Sequence, residues 1–370
     1  MYYFTDAHQI QVFSKAQGKW LTPIGITPPA GTSQRLWGIA LSPNGSKLAV
    51  SDITAGVIYV LDASNTASVQ TFAVNAGNVG YLNPSGLAIS DAGFVFYAVV
   101  WNGISGGRGF YRLDTSNGQI FDYGIVGAGG SLDAYYRAAI TADNSRVFFN
   151  NDGFVFYVNT ATNTWVPASV DQSCCYGDYE LTLSANQLGV EASNYFYDKN
   201  LNGESYFGLN DREVMNTSYV YGAKLSADGI LLFQPSSNGI DVLDGRVGKL
   251  LNRIALPLAL SPNYDALVSD GKDNVLLAIT GQGDGIAVLD LSSVTEPPPL
   301  PYVAARQDEG APVITEKHSR SVRRIPAEAD KHSPKLPPET RTVPHITNLS
   351  NRSEGLAVQP KAHPLVQSRN

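Results

Sequence analysis

One phrase recurs along this chain: an apolar residue, any residue, a second apolar residue and a Ser or Thr, followed by an Asx/Gly turn. Its Ser/Thr falls at Ser42, Ser90, Thr141, Ser184, Ser226 and Ser269, so the steps are 48, 51, 43, 42 and 43 residues. A fixed period of about 40–50 residues marks a chain built from copies of one supersecondary unit, each burying its apolar face against its neighbours. The period constrains the architecture before any single residue is considered. It leaves the activity open.

The unit is clearest over residues 35–74. Trp37, Ile39 and Leu41 alternate with small residues, the period of a strand, and Ser42-Pro43-Asn44-Gly45 is a tight turn. A second strand follows from Leu48 to Ser51, and a third from Val57 to Leu61, stopped by Asp62. Ser68 to Val74 reads as a fourth. Four short antiparallel strands per repeat, with no helix-period segment between them, describe the blade of a β-propeller and disfavour helical solenoids and βαβ folds. The other repeats hold the register: the residue five places before each Ser/Thr is Trp37, Ser85, Tyr136, Tyr179, Tyr221 or Tyr264. An incomplete unit precedes them, with Tyr2 to Asp6 aligning on Leu48 to Asp52, and brings the blades to seven.

The pattern resembles the bacterial YVTN-type seven-bladed propellers, within the wider WD40-like and quinoprotein amine dehydrogenase β-chain-like group. Ser42-Pro43-Asn44-Gly45, Ser226-Ala227-Asp228-Gly229 and the strand endings Val60-Leu61-Asp62, Val242-Leu243-Asp244 and Val288-Leu289-Asp290 carry the resemblance, over about residues 1–293. The third and fifth blades are less regular than the family pattern. The resemblance implies an all-β seven-bladed propeller and is silent on activity, because such families include binding scaffolds, lactonases and dehydrogenase subunits.

Two domains are expected: a propeller over residues 1–293 and a disordered Pro-rich tail over residues 294–370. Of 21 prolines, 12 lie in the last 75 residues, and such a charged stretch with few aromatics buries too little apolar surface to order itself. From residue 296 the tail carries 11 Lys/Arg against 8 Asp/Glu, about +3, whereas the rest carries 15 against 25, about −10. An acidic propeller argues against nucleic acid as a partner. No run approaches the roughly 18 apolar residues of a membrane span, and no signal peptide is visible.

Blades one and seven read as incomplete. Blade one lacks its innermost strand, and the fourth strand of blade seven would fall near Glu296 to Tyr302, where consecutive prolines exclude ladder pairing. The expectation is that a segment upstream of Met1 supplies both strands, with room for an export signal, and that Pro297 onward is dispensable.

Histidine limits the chemistry. Only His8 lies in the propeller, whereas His318, His332, His345 and His363 are in the tail, so little is at hand for a zinc site or a Ser-His pair. No metal or cofactor is expected. Cys174 and Cys175 are neighbours on the chain, a geometry that strains a disulfide, and they read as plain thiols or a loop-stiffening bridge rather than a redox site. Asp198, Asn200, Asn202 and Gly203 match the start of a calcium loop, but Leu209 stands where the bidentate Glu belongs, so a turn is expected.

The functional lead is the top face, where strand one begins and the strand-two-to-three loops emerge. Arg35, Tyr81, Trp101, Tyr135, Arg137, Tyr176 and Tyr219 fall in or beside those loops, and aromatic and Arg side chains on one rim suit recognition. Trp37 and the strand-one tyrosines are expected in the core. The leading expectation is a non-enzymatic scaffold, monomeric and periplasmic or secreted, that binds a protein, glycan or small molecule through this face. The alternative is a lactonase- or dehydrogenase-subunit-like enzyme using Asp133, Asp178, Glu180, Arg35 and Arg137 at the channel mouth. A structural adhesion module with the tail as spacer is the third.

Overall fold

The computed structural model describes residues 1–74, 82–101, 108–123, 137–151, 154–168, 181–184, 189–192, 195–206, 222–236, 239–245, 249–256, 260, 267–269, 275–280, 285–291, 294 and 346–349. These residues form seven separate antiparallel sheets and no helix, a seven-bladed β-propeller.

Blade one holds β1 (Tyr2–Thr5), β2 (Gln9–Ser14), β3 (Lys19–Trp20) and β4 (Ile24–Gly25). Both β3 and β4 pair with the same side of β2, Trp20 opposite Phe13 and Ile24 opposite Ile10, so they are two pieces of one outer strand. Pro23 stands in the break, where a residue without an N–H interrupts the ladder. Blade two is β5 (Leu36–Leu41), β6 (Lys47–Asp52), β7 (Val57–Asp62) and β8 (Asn65–Ala73), in that order across the sheet. Blade three is β9 (Leu82–Ile89), β10 (Phe94–Trp101), β11 (Arg108–Asp114) and β12 (Gln119–Asp122), and blade four is β13 (Arg137–Ile140), β14 (Arg146–Asn151), β15 (Phe154–Asn159) and β16 (Thr164–Pro167). Blade five is β17 (Leu181–Leu183), β18 (Gly189–Ala192), β19 (Tyr195–Asp198) and β20 (Gly203–Tyr206). Blade six is β21 (Lys224–Leu225), β22 (Leu231–Ser236), β23 (Gly239–Asp244) and β24 (Lys249–Ala255). Blade seven is β25 (Leu267–Ser269), β26 (Val275–Thr280), β27 (Gly285–Asp290) and β28 (Ile346–Leu349).

The repeated phrase now has a physical cause. In five blades the hydroxyl oxygen of the register Ser/Thr accepts the backbone N–H that opens the second strand. Lys47 N reaches Ser42 at 3.0 Å, Phe94 N reaches Ser90 at 3.0 Å, and Arg146 N reaches Thr141 at 3.0 Å. Gly189 N reaches Ser184 and Leu231 N reaches Ser226, each at 2.9 Å. In three of them the same hydroxyl donates to the Asx side chain two residues on, Asn44, Asp143 or Asp228. One side chain thus closes the hairpin between strands one and two, with a net contribution of about 1 kcal/mol per bond. The Asx residues also tie blades together. Asn44 N donates to Asp91 at 2.9 Å, and Asn144 Nδ2 donates to the other Asp91 oxygen at 2.8 Å.

Apolar packing is between blades. Among the described residues there is one core cluster for each neighbouring pair around the ring. Ile58, Val60, Val95 and Tyr97 join blades two and three, and Phe96, Phe110, Phe149 and Phe156 join blades three and four. Phe110 meets Phe156 edge to face at 4.6 Å between centroids, and each fully buried ring of this kind contributes about 2–3 kcal/mol. The ring closes where Tyr2 and Phe13 of blade one pack on Leu277 and Ile286 of blade seven.

Closure is also where the structure departs from the expectation of an upstream donor. The outer strand of blade seven is supplied from downstream: Ile346 pairs with Leu289 and Leu349 with Ile286. No proline falls within β28, so its amides can enter the ladder, which the triple proline after Glu296 cannot do. Among the described residues the sheet of blade one begins at β1. The rest of the tail lies outside the described residues.

Candidate recognition face

The first strands of successive blades run side by side around the centre, and each starts on the top face. At the start of β5 the backbone is clamped from two sides. Asp52 is buried at the end of β6, and its Oδ1 accepts from the N–H groups of Arg35 (3.1 Å), Thr54 (3.0 Å) and Ala55 (2.9 Å). The Arg35 carbonyl accepts from Ile53 N at 3.0 Å. From blade one, the Ala7 carbonyl accepts from Leu36 N at 3.1 Å, and Thr5 Oγ1 donates to the Trp37 carbonyl at 2.7 Å. Tyr59 donates its phenol to Asp52 Oδ2 at 3.3 Å, and burial together with the Asp52 charge holds that phenol well above its ordinary pKa. It stays a neutral donor.

What this framework presents is one cation. Arg35 is exposed, and its guanidinium lies over the half-buried Trp37 ring at 5.2 Å from the centroid. A guanidinium stacked on indole keeps its edge N–H donors free to face a ligand, with the plane already oriented. The clamp makes the pair rigid at its root, which lowers the ordering cost of binding.

Blade one repeats the device. Asp6, aligned with Asp52, accepts His8 N at 2.8 Å and Gln9 N at 2.9 Å through Oδ1, and Gln11 Nε2 at 2.7 Å through Oδ2. His8 is an exposed turn residue beside Ala7. Arg137 opens β13 on the same face, half-buried, opposite the buried Asn150. Trp101 ends β10 opposite Leu82, also at the top. Tyr81, Tyr135, Tyr176 and Tyr219 lie outside the described residues, as do Tyr136, Tyr179, Tyr221, Tyr264, Cys174, Cys175, Asp133, Asp178 and Glu180. Of the expected rim, the structure therefore places Arg35, Trp101 and Arg137 on one face and ties Arg35 to Trp37. Trp37 is half-buried rather than fully packed.

The Asp198 loop is a closed turn. Its Oδ1 accepts Asn200 N at 2.7 Å and Asn202 N at 2.9 Å, and its Oδ2 accepts Asn202 Nδ2 at 2.8 Å, with Leu201 at φ +60°. Burial opposes the charged form, but these donors outweigh it and hold the Asp198 carboxyl below its ordinary pKa.

Sequence reasoning missed a second feature, on the outer wall. The outer strands of blades three and four are exposed along their whole length, yet carry Ile120, Phe121, Trp165 and Val166. Phe121 faces blade four, because it pairs with Arg112, whose guanidinium donates to Asn163 of blade four and lies over Phe94 and Phe121. Trp165 faces back toward blade three, being paired with Val158 of the shared core. An apolar, aromatic outer strand beside polar ones elsewhere was a readable signal, since exposed outer strands carry polar residues by default.

No family model matches the chain, and no curated protein matches it. Solved structures do. The WD40 repeats of RRP9 align at 15% identity over 75% of this chain and 82% of theirs, with a TM-score of 0.53. The β-propeller domain of Cps50 (Swd1) from Myceliophteria thermophila aligns at 10% identity over 78% and 99%, with a TM-score of 0.56. A functionally unknown protein from Desulfotomaculum acetoxidans aligns at 12% over 77% and 90%, with a TM-score of 0.52. At these identities the likeness is one of fold, a propeller with WD40-repeat neighbours. No helix of the described residues is long and apolar enough to cross a membrane.

Proposed function

We propose that the chain is a non-enzymatic binding scaffold of the YVTN-type group, exported to the periplasm or cell surface, acting as a monomer and gripping its partner or small ligand through the top face. The observation that carries this reading is the Arg35–Trp37 pair: an exposed cation, stacked at 5.2 Å, on a backbone held by blades one and two together. The clamp orders the backbone from which this exposed side chain projects. The chemistry favours a ligand offering a carboxylate or another planar acceptor, since a guanidinium binds such groups through two parallel N–H bonds. Arg137, Trp101, Tyr81, Tyr135, Tyr176 and Tyr219 extend the same rim in this reading.

The test is to pan a random-peptide library and a glycan array against the protein, then against Arg35→Ala and against a triple variant replacing Tyr135, Arg137 and Tyr176. Ligands lost from both variants, with the melting temperature within about 2 °C of the parent, support the scaffold. Hits indifferent to both variants, or turnover of a lactone panel that requires Asp178 or Glu180, would overturn it in favour of the enzyme.

A further inference from the structure

Six large apolar side chains are exposed among the described residues, and four of them lie on two neighbouring outer strands: Ile120 and Phe121 of β12, Trp165 and Val166 of β16. Pairing divides them. Ile120 sits opposite Leu113 of the core between blades two and three, and Val166 opposite Tyr157 of the core between blades four and five. Phe121 and Trp165 point the other way, each toward the other's blade, at the outer end of the seam between blades three and four. They are 42% and 39% exposed.

Both rings are held from below. Phe121 meets Tyr123 edge to face at 4.8 Å, and Trp165 meets the fully buried Phe156 edge to face at 6.0 Å. Tyr123 in turn donates its phenol to Asn163 of blade four at 3.3 Å. Rings fixed in this way lose little freedom when a partner covers them.

The seam also carries a cation with no carboxylate in contact among the described residues. The half-buried Arg112 lies over Phe94 at 4.8 Å and over Phe121 at 5.4 Å, and its Nη1 donates to Asn163, a neutral acceptor. Its Nε is buried with no acceptor, and its Nη2 donates to none of the described residues. An incoming carboxylate finds a guanidinium already oriented by two rings and gains charge-assisted bonds to it. At physiological salt the screening length is about 8 Å, so this local charge outweighs the net charge of the propeller in choosing what docks.

We propose that the outer seam between blades three and four is a second docking surface, one that takes an acidic segment of a partner protein. A carboxylate of that segment meets Arg112, and an aromatic or aliphatic side chain beside it packs against Phe121 and Trp165. Charge selects this occupant over the others. The chain's own segment from residue 296 carries 11 Lys/Arg against 8 Asp/Glu and has the wrong net sign. Two copies meeting face to face about a two-fold axis would set Arg112 against Arg112. The surface is separate from the top face, because Arg35 precedes the innermost strand of blade two whereas Phe121 and Trp165 lie on outermost strands.

The test uses the full chain carrying Arg35→Ala, which removes the top-face cation and keeps the two readings distinguishable. A random dodecapeptide phage library is panned against it, and recovered peptides are synthesised and titrated by fluorescence anisotropy. They should carry Asp or Glu within two residues of an aromatic or large aliphatic residue. Affinity should fall at least tenfold for Phe121→Ser with Trp165→Ser. It should fall at least fivefold for Asn163→Asp, which gives Arg112 a carboxylate from within the fold and truncates no ring. It should stay within twofold for Ile120→Thr with Val166→Thr, whose side chains face the neighbouring seams. Peptides recovered without an acidic residue, peptides indifferent to Asn163→Asp, or no enrichment over the Phe121→Ser, Trp165→Ser variant would each overturn the proposal. So would a dimer of the parent, seen in sedimentation velocity, that this double variant dissolves, because a second copy would then be the occupant.

Discussion

Blades one and two are built by the same code and held very differently. Blade two is one unbroken stretch, β5 to β8, with every hairpin closed by a local side chain. Blade one has the same second strand, the same turn carboxylate and the same third strand, but its outer strand is broken at Pro23, and among the described residues its ladder begins at β1, the counterpart of β6. The lesson is that the repeat encodes blades and not the ring. Whatever joins the two ends of the chain must come from outside the repeat, and stability is most contingent there.

The comparison is broken most forcefully by removing the strand that closes blade seven. A chain ending at residue 345 loses β28. That strand with its ladder and apolar contacts amounts to about 4 kcal/mol, and at about 2 °C per kcal/mol for a chain of this size the melting temperature should fall by about 8 °C. Removing only residues 361–370 should move it by less than about 1 °C. Differential scanning calorimetry decides between these, and a silent deletion to 345 would reinstate the upstream donor and a dispensable tail.

The turn carboxylates come next. Asp52→Ala strands three backbone donors in a buried site and should cost about 3 kcal/mol in urea unfolding, while Asp6→Ala, half-buried with a more exposed turn, should cost about 1 kcal/mol. Equal costs would mean the clamp under Arg35 is no tighter than its counterpart in blade one. Smaller still, Ser42→Ala and Ser226→Ala should each cost about 1 kcal/mol through the opened hairpin. No measurable cost at either position would show that the hydroxyl does not hold the hairpin closed.

The smallest effect is with pH. The Ser64 hydroxyl and N–H lower the Asp62 pKa in blade two, and Ser116 does the same for Asp114 in blade three. A depressed folded-state pKa gives stability that is present above the unfolded value near 4 and lost as pH falls through the folded value. Asp62→Asn should therefore flatten part of the acid limb of a stability–pH curve below about pH 4, leaving pH 7 nearly unchanged. Blade four already carries Asn159 at this position, its Oδ1 accepting Ala161 N at 3.0 Å, so Asn159→Asp should steepen the same limb.

The blade code was legible because it is local: Ser42 and its turn, Asp62 and its turn, and the strand period all act within a few residues. The seventh blade's outer strand was not, because Ile346–Leu349 lies far along the chain from β27 behind a Pro-rich stretch, and a four-residue strand has no period to detect. At the candidate face, Arg35 could be placed on the rim from the register alone. Its seat on Trp37 could not, since that depends on Asp52 and Thr5 arriving from two other strands. The apolar composition around Phe121 and Trp165 was readable, but which way each side chain faces was not, because alternation in a short outer strand does not tell a solvent face from a blade-facing one.

Hydrogen exchange on β27 tests the closure of the ring most directly. In the full chain, the amides of β27 that face β28 should be protected to within about tenfold of those in β7. In a chain ending at residue 345, which lacks β28, that protection should fall at least a hundredfold while β7 is unchanged. Undiminished protection of β27 in the shortened chain would contradict closure of blade seven by residues 346–349.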